Sequence, residues 1–206
     1  MKKLLLIASL ASSLAFVAGT AGAAATVGQA APAFTAVDAS GKPVSLADFK
    51  GKTVVLEWVN PGCPFVQKHY SAANMQGTQK DATGKGVVWL TINSTSTDAG
   101  DYLPPAQMAQ WMKTQKAANS AMLMDADGKV GRAYGARTTP HMYIVDPAGK
   151  LVYAGGIDDK ATTNTADIPG ATNYVKAALN ESLAGKPVSQ ASTRPYGCSI
   201  KYSSGA

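Results

Sequence analysis

Cys63 follows a predicted strand and precedes a predicted helix, a position that favours a reactive sulfur. The apolar, β-branched stretch over residues 53–59 predicts a strand buried on both faces, and Asn60-Pro61-Gly62 predicts the turn that ends it. Pro64 is favoured at the first position of a helix. The thiol would then lie at a helix N-terminus, where amide groups and the helix dipole stabilise a thiolate. We therefore expect a reactive, partly accessible cysteine. The alternative is a small apolar residue buried at the end of a strand.

Cys198 is the only possible intramolecular partner of Cys63, because the chain contains two cysteines. The two are 135 residues apart. A domain of this size does not need a disulfide to fold, so a pair would be either redox-active or structural. Two cysteines and two histidines without ligand spacing do not predict a metal site. No cofactor is expected.

Glu57 is the third candidate catalytic residue, because it places a carboxyl group on a strand predicted to be buried. Desolvation should raise the pKa of this carboxyl, which suits proton exchange with a thiol. Alternatively, Glu57 faces a wet groove or pairs with a lysine. The two histidines are given structural roles: we expect His69 at the surface, and His141 either near the sulfur or, in preference, in a neutral packing role.

The elements that must position these residues alternate between strands and helices, which predicts an α/β fold. A helix over residues 64–83 would connect the Cys63 strand to a second buried strand, a crossover that makes the two strands parallel. An antiparallel hairpin and a last helix follow, giving a central mixed sheet with helices on both faces. The expected strands are 34–37, 53–59, 87–92, 122–124, 142–145 and 151–154, the expected helices are 64–83, 106–116 and 173–184, and residues 161–170 are expected to form a polar loop.

The N-terminus has the features of a secretory signal peptide over residues 1–25. A short basic segment precedes an apolar run, and small residues then offer a cleavage site. The alternative is an uncleaved membrane anchor, although the run is shorter than the roughly 20 residues a span needs. Residues 26–186 would form one domain, and residues 187–206 an extended tail that carries Cys198. The net charge of +6 is scattered along the chain, so neither nucleic acid nor, after cleavage, a membrane is an expected partner.

Several segments resemble the redoxin, peroxiredoxin-like branch of the thioredoxin fold, which includes the alkyl hydroperoxide reductase and thiol-specific antioxidant proteins. The resemblance covers residues 32–202, and it implies a three-layer fold in which Thr139-Pro140 forms the cis-proline loop. In that loop the backbone before the proline lies beside the active sulfur and pairs with an incoming substrate strand. The expected binding residues are therefore Thr139, Pro140 and Pro64. The segments that carry the resemblance are Phe34-Thr35-Ala36-Val37-Asp38, Gly41-Lys42-Pro43-Val44-Ser45-Leu46, Phe49-Lys50-Gly51-Lys52, Cys63-Pro64-Phe65-Val66, Thr139-Pro140, Gly155-Gly156-Ile157-Asp158-Asp159 and the tail Pro195-Tyr196-Gly197-Cys198-Ser199-Ile200-Lys201-Tyr202.

The active-site motif departs from the patterns of the better-known relatives. Thioredoxins carry a second cysteine three residues after the first, and here that position is Val66. Peroxiredoxins place a proline and a hydroxyl residue at the positions of Leu56 and Asn60, and an arginine where Pro140 stands. The hydroxyl and the arginine polarise the peroxide bond, so fast peroxide reduction is not expected.

Three functions remain open from the sequence. The first is an exported thiol–disulfide oxidoreductase or antioxidant protein of the bacterial periplasm, in which Cys63 attacks and Cys198 resolves. The second is a non-enzymatic binding module with a structural Cys63–Cys198 disulfide, and the third is a weak thiol peroxidase. The expected partner is a protein or small-molecule thiol or disulfide, with peroxide as a further candidate substrate. The protein is expected to be a monomer or a weak dimer.

Overall fold

The computed structural model describes residues 24–204, which fold around a seven-stranded mixed sheet. Its strands, in order across the sheet, are β2 (Pro43–Ser45), β1 (Thr35–Asp38), β5 (Ala121–Met124), β4 (Val88–Asn93), β3 (Val54–Trp58), β7 (His141–Val145) and β8 (Leu151–Gly155). A second, two-stranded sheet pairs β6 (Thr138–Thr139) with β9 (Cys198–Ser199).

Parallel and antiparallel pairing meet at β3, in the middle of the large sheet. β3 runs parallel to β4 on one side, with Val54 opposite Val88, and antiparallel to β7 on the other, with Val54 opposite Val145. All five residues of β3 are buried, as expected for a strand covered on both faces. The crossover and the mixed sheet predicted from the sequence are therefore confirmed.

Helices cover both faces of the sheet, which confirms the three-layer α/β architecture. The helices are α1 (Pro64–Ser71), α2 (Asn74–Gly84), α3 (Pro105–Thr114), α4 (Lys129–Tyr134) and α5 (Tyr174–Leu183), with 3-10 helices at Leu46–Phe49 and Thr165–Gly170. One apolar cluster joins the sheet to α1, α2, α3 and α5, and the opposite cluster contains α4 and the 3-10 helix Leu46–Phe49.

The prediction of one helix over residues 64–83 is wrong, because the helix is broken between α1 and α2. Ala73 adopts the left-handed conformation, with φ 55°. Side chains beyond the break bond back to α1: Asn74 contacts the Nδ1 atom of His69, and Gln76 donates to the carbonyl of Tyr70. These side-chain bonds across the break stabilise it against the local preference for a continuous helix. The segment 161–170, predicted as a loop, contains the 3-10 helix Thr165–Gly170.

The residues after α5 lie against the domain along much of their length. Ala154 forms an isolated parallel bridge with Ser192, and β9 pairs with β6. Of the predicted signal peptide, residues 1–23 lie outside the described residues. Within residues 24–204, no helix has the length and apolar character that a membrane crossing requires.

Candidate active site

The turn after β3 brings Cys63 to the start of α1. The side-chain oxygen of Asn60 accepts the amide of Gly62 at 2.7 Å, and the amide of Cys63 donates to the Asn60 carbonyl at 3.0 Å. Cys63 is the N-cap residue, and Pro64 occupies the first turn of the helix. The sulfur therefore lies at the helix N-terminus, as the sequence predicts.

Cys63 and Cys198 form a disulfide. Their Cα atoms are 5.8 Å apart, within the usual range of about 4.4–6.8 Å. Cys63 is 2% exposed, whereas Cys198 is half-buried. The expectation of a partly accessible Cys63 is therefore wrong for the oxidised protein, because the tail covers its sulfur.

The cis-proline loop lies directly beside this disulfide. The Thr139-Pro140 peptide bond is cis, and the carbonyl oxygen of Thr139 is 3.0 Å from the Sγ atom of Cys63. In the small sheet Thr139 pairs with Cys198 and Thr138 with Ser199. The chain's own tail thus occupies the strand edge that the resemblance assigns to a substrate.

Two features of the site act in opposite directions on the pKa of the Cys63 thiol. The first amides of α1 favour a thiolate, whereas the Thr139 carbonyl would accept a hydrogen bond from the thiol and so favour the protonated form. A thiol on Cys198 could donate to the Cys63 thiolate and offset that carbonyl. The site can therefore support thiol–disulfide exchange between a buried sulfur and a half-buried one.

Glu57 is fully buried and does not bond to either cysteine. Its carboxylate accepts hydrogen bonds from Tyr70, Gln79, Trp89 and Thr91, at 2.7–3.2 Å. Desolvation raises the pKa of Glu57, and these four donors partly oppose that shift. The alternatives of a wet groove and of a lysine partner are excluded by these contacts, which join β3 to α1, α2 and β4.

The prediction of His69 at the surface is wrong. The side chain is fully buried, and its Nε2 atom is 3.0 Å from the hydroxyl of Tyr196 in the tail. Tyr196 in turn donates to Asp158. Burial lowers the pKa of His69 to about 4. The residue is therefore a neutral link between α1 and the tail.

His141 has the neutral packing role that the sequence favours. It is buried against the ring of Tyr143, with the two ring centres 4.5 Å apart. Burial lowers the pKa of His141 to about 3, and the nearby Arg137 acts in the same direction.

The structure brings together five of the six predicted site residues, and it adds residues that the sequence analysis missed. Glu57 is the residue that stands apart. Gly197, with φ 140°, lies so close to Thr139 that a Cβ atom there would overlap the Thr139 carbonyl. The only signal for Gly197 and Tyr196 was their place just before the tail cysteine. The five that meet are Cys63, Cys198, Thr139, Pro140 and Pro64.

A small cavity of about 60 Å³ opens beside the disulfide. Thr139 lies in its wall, is 3% exposed, and has a hydroxyl group without a hydrogen-bond partner within residues 24–204. In that same part of the chain, no three histidine, cysteine or carboxylate side chains are grouped as a metal site requires.

The sequence of this chain is similar to those of proteins with redox names. The AhpC/TSA family model matches residues 27–154. A putative peroxiredoxin of Mycobacterium tuberculosis is 31% identical over 153 residues, which cover 66% of this chain and 88% of that protein. Thiol-disulfide oxidoreductase ResA of Bacillus subtilis is 24% identical over 128 residues; the match covers 59% of this chain and 62% of ResA.

A solved structure extends the likeness over nearly the whole chain. A hypothetical protein of Sinorhizobium meliloti 1021 is similar with a TM-score of 0.74 and 28% identity, covering 89% of this chain and 98% of that one. Together with the family match and the M. tuberculosis relative, the geometry leads to one conclusion: the chain belongs to the AhpC/TSA family.

Proposed function

We propose that this protein is an exported thiol–disulfide oxidoreductase in which Cys63 is the attacking thiol and Cys198 the resolving thiol. The observation that carries the proposal is the Cys63–Cys198 disulfide, formed at the N-terminus of α1 and against the cis-proline loop. Cys198 supplies the second thiol that Val66 cannot supply in the helix. The name of the related ResA, a thiol-disulfide oxidoreductase, supports the same reaction class.

The other site residues would position these sulfurs. Pro64 starts the helix whose amides face Cys63, and Thr139 with Pro140 forms the backbone wall on the opposite side. The contacts of Glu57 favour a positioning role over direct proton exchange, because its hydrogen bonds fix Tyr70 on the same helix.

The proposed location is the bacterial periplasm, after cleavage of a signal peptide over residues 1–25. An oxidising compartment suits a protein whose two cysteines form one disulfide. The folded part would consist of a domain over residues 26–186 and a docked tail over 187–206, acting as a monomer or weak dimer on thiol or disulfide partners.

Alkylation of each cysteine as a function of pH tests the assignment of roles. We expect the Cys198→Ser variant, in which only Cys63 can react, to be alkylated with a midpoint below that of a free thiol, about pH 8.5. The matched Cys63→Ser variant should show a higher midpoint. A Cys63 midpoint of about 9 or above, or no labelling after reduction, would contradict the proposal.

The reduction potential separates this function from a structural disulfide in a non-enzymatic binding module. Burial of Cys63 beneath the tail is the observation that favours the structural alternative. A potential above about −300 mV would support turnover, and a lower potential would assign the bond to stability.

A second candidate activity is weak thiol peroxidase, favoured by the name of the M. tuberculosis relative. The residues argue against a fast reaction. Leu56 and Pro140 stand where peroxiredoxins hold other residues, and the Asn60 amide is already bonded to Thr95 and Asp101. Arg137 is exposed. Stopped-flow oxidation of the reduced protein by hydrogen peroxide at a rate no greater than that of free cysteine would exclude this activity.

A further inference from the structure

We infer that the Cys63–Cys198 pair exchanges with low-molecular-weight thiols and disulfides, because the chain's own tail excludes protein substrates in both redox states. This inference rests on the proposed function and names the substrate class of the same site. It depends on three features: the occupied strand edge, the attachment of the tail on both sides of Cys198, and the size of the remaining opening.

The strand edge that a polypeptide substrate would use is fully occupied. A protein strand adds to a sheet only where backbone groups are unpaired, and both residues of β6 pair with β9. The backbone of the tail at Gly197 lies against the Thr139 carbonyl, so there is no space for a Cβ atom there. A substrate strand could therefore bind only after the tail leaves.

Contacts on the N-terminal side of Cys198 hold the tail without the disulfide. The amide of Thr193 donates to the carbonyl of Ala154, and the amide of Gly156 donates to the Thr193 hydroxyl at 3.0 Å. Tyr196 adds the bonds to His69 and Asp158. A Cβ atom at Gly155 would overlap Thr193, so the domain surface is shaped to receive this part of the tail.

Contacts on the C-terminal side of Cys198 also hold the tail without the disulfide. The amide of Ile200 donates to the Arg137 carbonyl at 3.0 Å, and the Tyr202 hydroxyl donates to the carbonyl of Ala136 at 2.8 Å. The guanidinium of Arg132 lies 4.7 Å from the centre of the Tyr202 ring. Because these bonds do not involve sulfur, reduction should leave the tail in place and keep Cys198 beside Cys63.

A cavity of about 60 Å³ beside the disulfide, lined by both cysteines, offers an opening to a substrate. That volume is a few times the roughly 10–15 Å³ that one water requires, so it admits the end of a small molecule and not a polypeptide strand. The unpartnered Thr139 hydroxyl offers a hydrogen bond to a polar group that enters. The wall of the cavity includes Cys63, Cys198, Asn60, Thr95, Thr139 and Lys201.

The exchange with a small disulfide R–S–S–R is then a two-electron reaction in two steps. The Cys63 thiolate attacks one sulfur, forming Cys63–S–S–R and releasing R–S⁻, which takes up a proton. The Cys198 thiolate then attacks the Cys63 sulfur, the Cys63–Cys198 disulfide forms, and a second R–S⁻ leaves and is protonated. The protein dithiol loses two electrons and two protons, and the products are two R–SH molecules. With small thiols in excess, the same steps run in reverse.

The experiment compares two oxidants of the reduced full-length protein: bis(2-hydroxyethyl) disulfide as the small probe and insulin as the protein probe. We expect the small disulfide to oxidise the wild type at least about tenfold faster, since insulin must wait for a rare tail-open state. The Tyr202→Ala variant, which removes one attachment of the tail, should raise the insulin rate while leaving the small-probe rate nearly unchanged.

The matched control is Phe49→Ala, which removes a half-buried aromatic side chain from the 3-10 helix Leu46–Phe49, among residues that do not belong to the tail. It should preserve the wild-type ratio of the two rates. Equal rates for the two probes in the wild type, or an unchanged ratio in Tyr202→Ala, would overturn the inference and leave the proposed function standing. Failure of both probes to oxidise the protein would overturn the proposed function itself.

Hydrogen exchange on the wild type gives a readout that does not depend on any variant. We expect the amides of Thr193 and Ile200 to keep their protection after the disulfide is reduced. Loss of protection at both amides on reduction would show that the disulfide alone holds the tail, and the inference would then be wrong.

Discussion

At the scale of single residues, Gly197 controls how closely the tail approaches Cys63. Its φ of 140° favours glycine, and the space that a side chain would fill is taken by the Thr139 carbonyl. The residue is therefore required by two independent constraints, backbone conformation and steric contact.

We expect Gly197→Ala to raise the reduction potential of the disulfide by about 30–60 mV, or roughly 1.4–2.8 kcal/mol. The added methyl group would push the tail away from Thr139 and weaken the oxidised form. Titration in thiol–disulfide redox buffers measures the change. Gly149→Ala is the matched control, because Gly149 also has a positive φ, 83°, but nothing within 4 Å of the added Cβ. An equal shift in both variants would assign the effect to backbone conformation alone.

Glu57 is the second residue whose surroundings allow a sharp test. The indole N–H of Trp89 donates to this carboxylate and to no other group within residues 24–204, so Glu57→Leu would leave it unsatisfied in the core. The side-chain nitrogen of Gln79 would keep only its bond to the Tyr70 hydroxyl. We expect a loss of roughly 2–5 kcal/mol in the free energy of unfolding, measured by urea denaturation. The exposed Asp81→Asn serves as control.

Glu57→Gln separates a positioning role from proton exchange. An amide keeps the size of the side chain and can still accept from Trp89, but it cannot release a proton in this pH range. We expect the pH midpoint of Cys63 alkylation to stay where it is in the wild type. A clear displacement of that midpoint would show that the carboxyl exchanges protons with the thiol.

At the scale of elements, local patterns predicted most of the fold. The apolar run before Asn60 predicted β3, because a strand that is buried on both faces is apolar along its whole length. No local pattern predicted the small sheet of β6 and β9, because its strands have two residues each and come from distant parts of the chain.

The break between α1 and α2 was also unpredictable from local sequence. No glycine or proline marks it, and Ala73 alone takes the left-handed conformation. The bonds at the break are made by side chains, from Asn74 to His69 and from Gln76 to the distant carbonyl of Gln115, so a propensity argument could not find them. His69 is buried because Asn74, Tyr196 and Asp158 contact its ring, although its spacing from Cys63 indicated a surface position.

We expect Ala73→Gly to raise the free energy of unfolding by about 0.5–1 kcal/mol, because glycine adopts positive φ without the steric cost that alanine carries. Thermal or urea denaturation measures the gain. Ala72→Gly is the control: this neighbour is also exposed but has φ −88°, so the change should destabilise the protein by a similar amount. Destabilisation by both variants would contradict the assignment of strain to Ala73.

At the scale of the whole molecule, both histidines of the chain are buried and held uncharged in the folded protein. His69 connects α1 to the tail through Tyr196, and His141 packs against the ring of Tyr143. Burial lowers the pKa of His69 to about 4 and of His141 to about 3. The unfolded chain has no such environment, so its histidines should titrate near pH 6.5.

Stability should therefore fall as pH drops below about 6.5, because the unfolded chain then binds protons that the folded protein excludes. For His69 this loss continues down to its folded pKa of about 4 and amounts to roughly 3 kcal/mol. Asp158, beside His69, reduces the loss, whereas the ammonium of Lys68 increases it. Glu57 and Asp125 act in the opposite direction as the solution is acidified, because burial raises their pKa values.

The measurement is the free energy of unfolding of reduced and oxidised protein between pH 5 and 7, from urea titrations. We expect His69→Gln to be less stable than the wild type at pH 7 but to lose less stability on acidification, and His141→Gln to behave in the same way. The reduced protein should show the same His69-dependent slope as the oxidised protein, because Tyr196 holds the tail against His69 independently of the disulfide. A slope that depends on His69 only in the oxidised protein would mean that the tail leaves on reduction, and a small-substrate specificity imposed by the tail could not then hold.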